Sequence, residues 1–435
     1  MNPPPTVALV DTRWAGHHPT YLREFSASLL RMGARVLLLC QKPDEILEAL
    51  DEAPSDRIAG FPFIHRNHGV INRNRDHDPL STPLRWRATA EILDRAERDT
   101  GWTADLVFFC YLDCYLRFSP FPLLPGMTLG RPWSGLYFRN GHLEFPGDPL
   151  RRAAKGDRLL RSPDCRAVCT LDERFNDTLE EISGHPAIAF PDMTDETLPD
   201  TPTPAARALR EKAGDRKIIG LISMEKRKGL VTMLKAALRA GELREPWYFV
   251  ATGPYPRGTF SPEDLAFLDD LEKRIAAGEI DHIHFDTSGD RIQDGAPYNS
   301  IFSTFDLVWA AYEGFEGSSN ALTKAAAFRI PLVATAGQCV GDRVERFQIG
   351  RTFPEGDPEA AVEAIRGALN GDGPDGAKLD PEFATYHRGH SRERLDEVFR
   401  ELSMIGDGSG GFRLEAQAEK TPACRPLNAR SESGA

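Results

Sequence analysis

The sequence predicts an α/β protein made of two doubly wound parallel-sheet halves, and three observations carry that prediction. Short apolar runs alternate with segments of helical period along the chain, which is the grammar of parallel strands joined by crossover helices. A stretch rich in proline, threonine and aspartate, "AIAFPDMTDETLPDTPTP", interrupts the alternation once, and the same grammar then restarts. At 435 residues the chain is too long for one ordinary hydrophobic core and long enough for two.

In the first half, "TVALVD" is an unbroken apolar run suited to a strand buried on both faces. "YLREFSASLLRMG" then spaces its apolar residues by three and four, one face of a helix. On the same grounds strands are expected near 6–11, 35–40, 105–111, 134–138 and 166–170, and helices near 19–32, 83–99 and 148–161. The second half repeats the pattern with "KIIGLIS", "WYFVATG", "HIHFD", "DLVWAAY" and "PLVAT", each followed by a helix-like segment. The predicted organisation is an N-terminal domain at 1–190, a linker at 191–204, a second domain at 205–380 and a C-terminal helix at 381–405. A tail at 406–435 has no apolar period and is expected to be disordered.

Composition excludes several classes. Hydrophobic residues at 41% and charged residues at 27% fit a globular chain. A formal charge of −12 argues against a general nucleic-acid binder, which needs a basic face. Apolar runs such as "VLLLC" and "LVFFCYL" fall far short of a membrane span, and "MNPPPTVALVD" has no basic leader, so a cytoplasmic protein is expected. Arg66, Arg73, Arg75, Arg85 and Arg87 gather in one region; they read either as a solvated face or as a patch for an anionic acceptor or the inner membrane surface. Seven cysteines without CxxC or zinc spacing read as reduced, buried small hydrophobes. Asp76-His77-Asp78 has the letters of a metal-binding pair but sits in a polar loop, "INRNRDHDPLS", so no metal is expected. No GxxxxGK[ST] loop occurs, and no GxGxxG stands between a strand-like apolar run and a helix, as a dinucleotide fingerprint requires.

Ligands of such sheets bind outside the carboxyl ends of the strands, which directs attention to the βα loops; both sets of strand ends are expected to face one central cleft. The first such loop is "WAGHHPTY", with Gly16, His17 and His18 before a helix whose first turn accommodates Pro19. Its histidines read either as cap and packing residues or as a base or imidazole donor toward a sugar or phosphate. The sharper signal is "YEGFEGSSNALTKAAAFRIPLVAT", where a strand ends, a glycine-serine turn follows and a helix opens. The amides of Gly317, Ser318, Ser319 and Asn320 there would meet an anion such as a diphosphate.

On these residues the second half resembles retaining glycosyltransferases of the GT-B fold, the family 4-like group, in which a glutamate, seven residues, a second glutamate and a proline before a strand recur. Glu316 and Pro331 match, and the second position is Lys324. "LISMEKRKGLVTMLKAAL" is similar to the family's Lys-Gly helix start, with Lys228 as the lysine that meets the donor diphosphate, Ser223 where arginine is common, and Lys226 and Arg227 beside it. "WYFVATGPYPRG" resembles the family's strand and glycine turn at Gly253, and "FQIGRTFPEGDPEAAVEAI" its closing segment with Gly350 and Asp357.

The resemblance implies two Rossmann-like domains in the GT-B arrangement and metal-independent transfer of a hexose from a nucleotide-diphosphate sugar to a hydroxyl of a glycan, lipid-linked or small-molecule acceptor. Retention is implied, the work falls in polysaccharide biosynthesis, and the nucleotide sugar is co-substrate with no further cofactor. Glu316 would orient the donor sugar; Lys228, Arg227, Gly253 and the 317–320 amides would hold the diphosphate. Lys324 cannot accept hydrogen bonds from ribose hydroxyls as a carboxylate does; it reads as a phosphate partner or as a side chain snorkelling from its helix. Gly16, Arg139 and His142, the last two from "PWSGLYFRNGHLEF", would contact the acceptor, with His17 or His18. In an inverting enzyme one of these histidines would be the base.

Overall fold

A computed structural model describes residues 3–14, 18–50, 56–63, 81–116, 121–138, 157–374, 376–405 and 414. The chain divides into two compact units: Met1–Pro191 with His390–Arg430, and one built on Asp192–Gly389.

Among the described residues the first unit holds seven parallel strands: β1 (Thr6–Asp11), β2 (Arg35–Cys40), β3 (Ile58–Pro62), β4 (Leu106–Phe109), β5 (Trp133–Tyr137), β6 (Cys165–Thr170) and β7 (Ala187–Ala189). Their order is β3-β2-β1-β4-β5-β6-β7, so the winding reverses between β1 and β4. All six residues of β1 are buried, as its unbroken apolar run requires of a strand covered on both faces. The helix His18–Arg31 follows and buries Leu22, Phe25 and Leu29 on one stripe. Phe25 packs against Phe108, Phe190 and Phe399 with ring centroids at 5.9, 5.2 and 5.8 Å. Phe399 belongs to the helix Arg392–Met404, which returns to this unit and is fastened to His18–Arg31 by Arg392 on Glu24 at 2.8 Å and Arg31 on Asp396 at 2.7 Å.

Among the described residues the second unit holds six parallel strands: β8 (Lys217–Ile222), β9 (Trp247–Thr252), β10 (Ile283–Phe285), β11 (Leu307–Ala310), β12 (Leu332–Thr335) and β13 (Gly350–Phe353). Their order is β10-β9-β8-β11-β12-β13, with the reversal between β8 and β11. Residues 190–203 carry no helix or strand, and the helix Pro204–Ala213 then opens with Thr203 as cap.

Some elements differ from expectation. β3 and β7 are additional strands, and β4 is shorter than the apolar run that contains it. Of the helix expected near 148–161 only Asp157–Leu160 falls within the described residues. The 381–405 segment holds two helices, Phe383–Gly389 and Arg392–Met404. The six cysteines among the described residues are buried, and no described helix is long and apolar enough to cross a membrane. The expected disordered tail and Asp76, His77 and Asp78 lie outside the described residues.

Candidate functional site

In the second unit the chemistry-bearing loops follow β8 and β11, the two strands that flank the winding reversal, where open sheets of this kind take ligands. After β8 the chain enters a left-handed conformation at Ser223, φ 73°. The Ser223 amide donates to the Thr252 carbonyl at 2.9 Å and its hydroxyl to Glu225 at 2.9 Å. A single 3₁₀ turn, Lys226–Lys228, leads to Gly229 at φ 71°. A Cβ on Gly229 would lie 2.2 Å from the Ala311 carbonyl oxygen, so glycine is required by both conformation and space. That close approach seats the turn on the end of β11. The Glu313 amide donates to the Arg227 carbonyl at 2.9 Å, the Trp309 indole to the Lys228 carbonyl at 3.2 Å, and the Thr232 hydroxyl to the Glu313 carboxylate at 2.6 Å.

The three basic residues of the turn have different fates. Lys226 is paired with Asp264 at 2.6 Å. Arg227 is exposed, pairs with Glu225 at 2.7 Å and lays its guanidinium 5.2 Å from the Phe315 ring centroid. Lys228 Nζ donates to the Ile222 carbonyl at 3.3 Å. Burial pushes this ammonium down to about 8, although Glu225 pulls the other way. Burial pushes Glu225 up, but Arg227 and Lys228 outweigh that and hold its carboxyl below the ordinary value.

The loop after β11 is equally determined. Thr335 Oγ1 and Gln338 Nε2 donate to the Tyr312 carbonyl at 2.6 and 3.1 Å, and the Gly314 amide donates to Glu355 at 3.0 Å. The Tyr312 and Ser319 hydroxyls share a hydrogen bond of 2.6 Å, and Ser319 caps the helix Asn320–Phe328 by accepting from the Ala321 amide. The Ser318 hydroxyl donates to Asp192 at 2.7 Å and accepts from Arg343 at 2.6 Å. The Glu316 side chain is exposed, and Gly253, φ 91°, directly follows β9, where an added Cβ would lie 3.3 Å from the Ser223 amide nitrogen.

Lys324 is a correction to the snorkelling reading. It is buried, with Nζ donating to the Asp195 carbonyl and to Asn299 Oδ1 and lying 5.2 Å from the Tyr298 ring centroid. Asn299 Nδ2 in turn donates to the Asp195 and Thr197 carbonyls at 3.0 and 2.9 Å. Its ammonium therefore fastens the 195–197 segment to two helices and does not snorkel.

In the first unit the corresponding reversal lies between β1 and β4. Asp11 ends β1, and its carboxylate accepts from the Arg13 amide at 2.8 Å and from His18 Nδ1 at 2.8 Å. The His18 ring stands edge-on to Tyr111 at 5.2 Å, with Phe138 at 6.4 Å and the Arg13 guanidinium 4.6 Å over Tyr111. Gly16, His17, Arg139 and His142 lie outside the described residues, as do Arg66, Arg73 and Arg75. Arg85 leaves the proposed arginine patch: it is buried and donates to the Cys114 carbonyl at 2.8 Å. Arg87 is exposed and pairs with Glu91 at 3.0 Å. Sequence reasoning missed Asp11, whose only signal was an acidic residue closing an otherwise apolar strand.

No known family pattern matches the sequence, and no curated relative matches it. Among solved structures it is similar to a glycosyltransferase from Rickettsia africae, with 13% identity and a TM-score of 0.62 over 93% of this chain and 100% of that one. It is similar to sucrose-phosphate synthase from Thermosynechococcus elongatus, at 17% identity and a TM-score of 0.56 over 91% of this chain and 95% of that one. HepE from Anabaena, in complex with UDP-glucose, gives 13% identity and a TM-score of 0.59 over 91% and 98%. With two parallel-sheet α/β units and these neighbours, the chain has the GT-B fold.

Proposed function

We propose that the protein transfers a hexose from a nucleotide-diphosphate sugar to a hydroxyl acceptor. The observation that carries this reading is the joining of the Lys226–Gly229 turn to the end of β11, which brings Lys228, Arg227 and the capped start of Asn320–Phe328 to one winding reversal. That combination suits a diphosphate: the dipole at a helix start favours an anion, and fixed positive charge acts most where negative charge grows on the leaving group. HepE, which binds UDP-glucose, lends support at the level of fold. Glu316 orients the donor sugar, and the 317–320 amides with Gly253, Lys228 and Arg227 hold the diphosphate. Transfer by this route needs neither metal nor further cofactor. Gly16, His17, His18, Arg139 and His142 serve the acceptor, which is a glycan, lipid-linked or small-molecule hydroxyl in cytoplasmic polysaccharide synthesis, with peripheral contact to the inner membrane face.

The resemblance to retaining enzymes points to retention, with the leaving phosphate taking the acceptor proton. One observation favours a second course, inversion with His18 as base: the bond that Asp11 makes to its Nδ1. Thermal shifts with UDP, GDP, ADP and their glucose conjugates test the reading, because a ligand at 100 times its dissociation constant adds about 2.7 kcal/mol of stability. Absence of any shift overturns it, and NMR of the product anomer separates the two courses.

A further inference from the structure

We propose that Asp192 is a positioning residue for the anion loop: it holds the Ser318 hydroxyl and, through it, the backbone that meets the diphosphate. This rests on the transferase reading and gives a role to a residue outside the loops that follow β8 and β11. Asp192 is 2% exposed. Its Oδ2 accepts from the Ser318 hydroxyl at 2.7 Å, and the same hydroxyl accepts from the Arg343 guanidinium at 2.6 Å. A carboxylate only accepts and a guanidinium only donates, so the direction of both bonds is fixed and the hydroxyl has one orientation. Each bond has one charged partner, which makes it stronger than a bond between neutral groups. The Asp192 carbonyl adds a further tie, accepting from Thr323 Oγ1 at 2.7 Å within the helix Asn320–Phe328.

Ser318 stands between Gly317 and the cap residue Ser319, where backbone bonding does little to set the course of the chain. Among the described residues no hydrogen bond engages the amides of Gly317, Ser318 or Ser319. Such a stretch keeps one conformation only where side chains impose it, and two do. Ser319 is held by the Tyr312 hydroxyl at 2.6 Å, a tie from the same loop. Ser318 is held from outside the loop: Asp192 lies in the stretch 190–203, which has no helix or strand, and Arg343 belongs to the helix Cys339–Arg346. Both serine side chains are committed to protein partners, which leaves the backbone amides for an anion. Donors of this kind act most when their geometry is set before the charge arrives. The electrostatic effect of Asp192 has the opposite sign. A carboxylate beside the loop repels a diphosphate, so on charge alone its removal tightens binding. Weaker binding on its removal therefore reports position.

UDP and inorganic pyrophosphate are the probes, with affinity read by calorimetry below the unfolding temperature of each variant and Tm measured beside it. Asp192→Ala is expected to bind both ligands roughly tenfold more weakly, although it removes a repelling charge. Asp192→Asn keeps an acceptor oxygen for Ser318 without the charge and is expected to bind within about twofold of wild type, or more tightly. Thr323→Val deletes a bond of the same length to the same residue and is expected to lower Tm with affinity unchanged, which separates positioning from a merely structural tie. Ser318→Ala keeps every backbone amide, loses only the hydroxyl that Asp192 holds, and is expected to weaken binding as Asp192→Ala does. Because the two act as one unit, the double variant is expected to lose no more than either single one. If Asp192→Ala does not fold, Ser318→Ala carries the test, and wild-type affinity in it overturns the inference. A wild type that binds neither UDP nor pyrophosphate defeats the transferase reading and this inference with it. With wild-type binding established, this inference alone is overturned by any of three results: undiminished affinity in Asp192→Ala, an equal loss in Thr323→Val, or additive losses in the double variant.

Discussion

The two units solve one scaffolding problem and furnish it differently. In each, the first strand in sequence is central, the second and third lie to one side, and the later strands to the other. In the second unit the loops at the reversal are polar and cationic, with Lys228, Arg227, Glu225 and Glu313 linked through backbone and side chain. At the reversal of the first, a histidine held by one buried carboxylate stands against two aromatic rings. Sheet topology therefore says where a ligand binds, and only the loop residues say what kind. The polar loop suits a phosphate; the aromatic one suits the face of a sugar ring or an apolar acceptor.

The largest effect on that contrast is expected from Gly229→Ala. The added methyl meets the Ala311 carbonyl at 2.2 Å in a left-handed backbone, so the turn must leave β11. We expect about 3–5 kcal/mol of lost stability in the second unit and loss of UDP binding, measured by denaturant unfolding and calorimetry. Unchanged stability would mean that the turn is not pinned.

That glycine was legible as part of a Lys-Gly helix start, and most strands were legible because buried parallel strands spell themselves as apolar runs. β3, "IAGFP", is broken by glycine and closed by proline, and β7, "AIA", is three residues long, so neither stood out as a strand. At the site, spacing located residues 316 and 324 on a loop and a helix but could not reveal partners. Lys324 turned out to belong to Asp195 and Asn299, 129 and 25 residues away. Asp11 needed the fold to bring His18 onto it.

Next in size is Lys228→Ala, expected to reduce kcat/KM by roughly 10²–10³ if the ammonium stabilises the leaving diphosphate. The pH dependence has a definite sign. Burial depresses this lysine to about 8, so in the free protein its charge is lost as pH rises through 8. UDP affinity should fall above that pH in the wild type and stay flat in the alanine variant. Without ligand the unfolded chain holds this proton up to its ordinary value of about 10.4, so the Lys228 contribution to stability improves between pH 8 and 10.4. A wild-type affinity that does not vary with pH would remove Lys228 from the anion site.

Lys324→Met sharpens the contrast from the other side, since it removes a cation near the same helix that we assign to structure. Losing the ammonium leaves the Asp195 carbonyl and Asn299 Oδ1 without this donor, at an expected cost of about 1–3 kcal/mol. UDP affinity of the folded variant should be unchanged. A tenfold loss would make Lys324 a ligand residue after all.

The smallest effect tests whether the helix behind the anion loop is built as economically as its counterparts. Asn176–Ser183 in the first unit and Pro358–Asn370 in the second end on left-handed glycines, Gly184 at φ 72° and Gly371 at φ 70°. Asn320–Phe328 ends instead on Arg329, exposed and left-handed at φ 54°. A side chain in that conformation carries a steric cost that glycine avoids, while the amide keeps its bonds to the Ala325 and Ala326 carbonyls. Arg329→Gly should therefore stabilise the second unit by about 0.5–1 kcal/mol, read as a rise of about 1–4 °C in Tm. Nine residues of helix at about 1.5 Å each separate it from the anion-facing end, so UDP affinity should not change. A fall in stability would show that the guanidinium contributes more than the backbone strain costs.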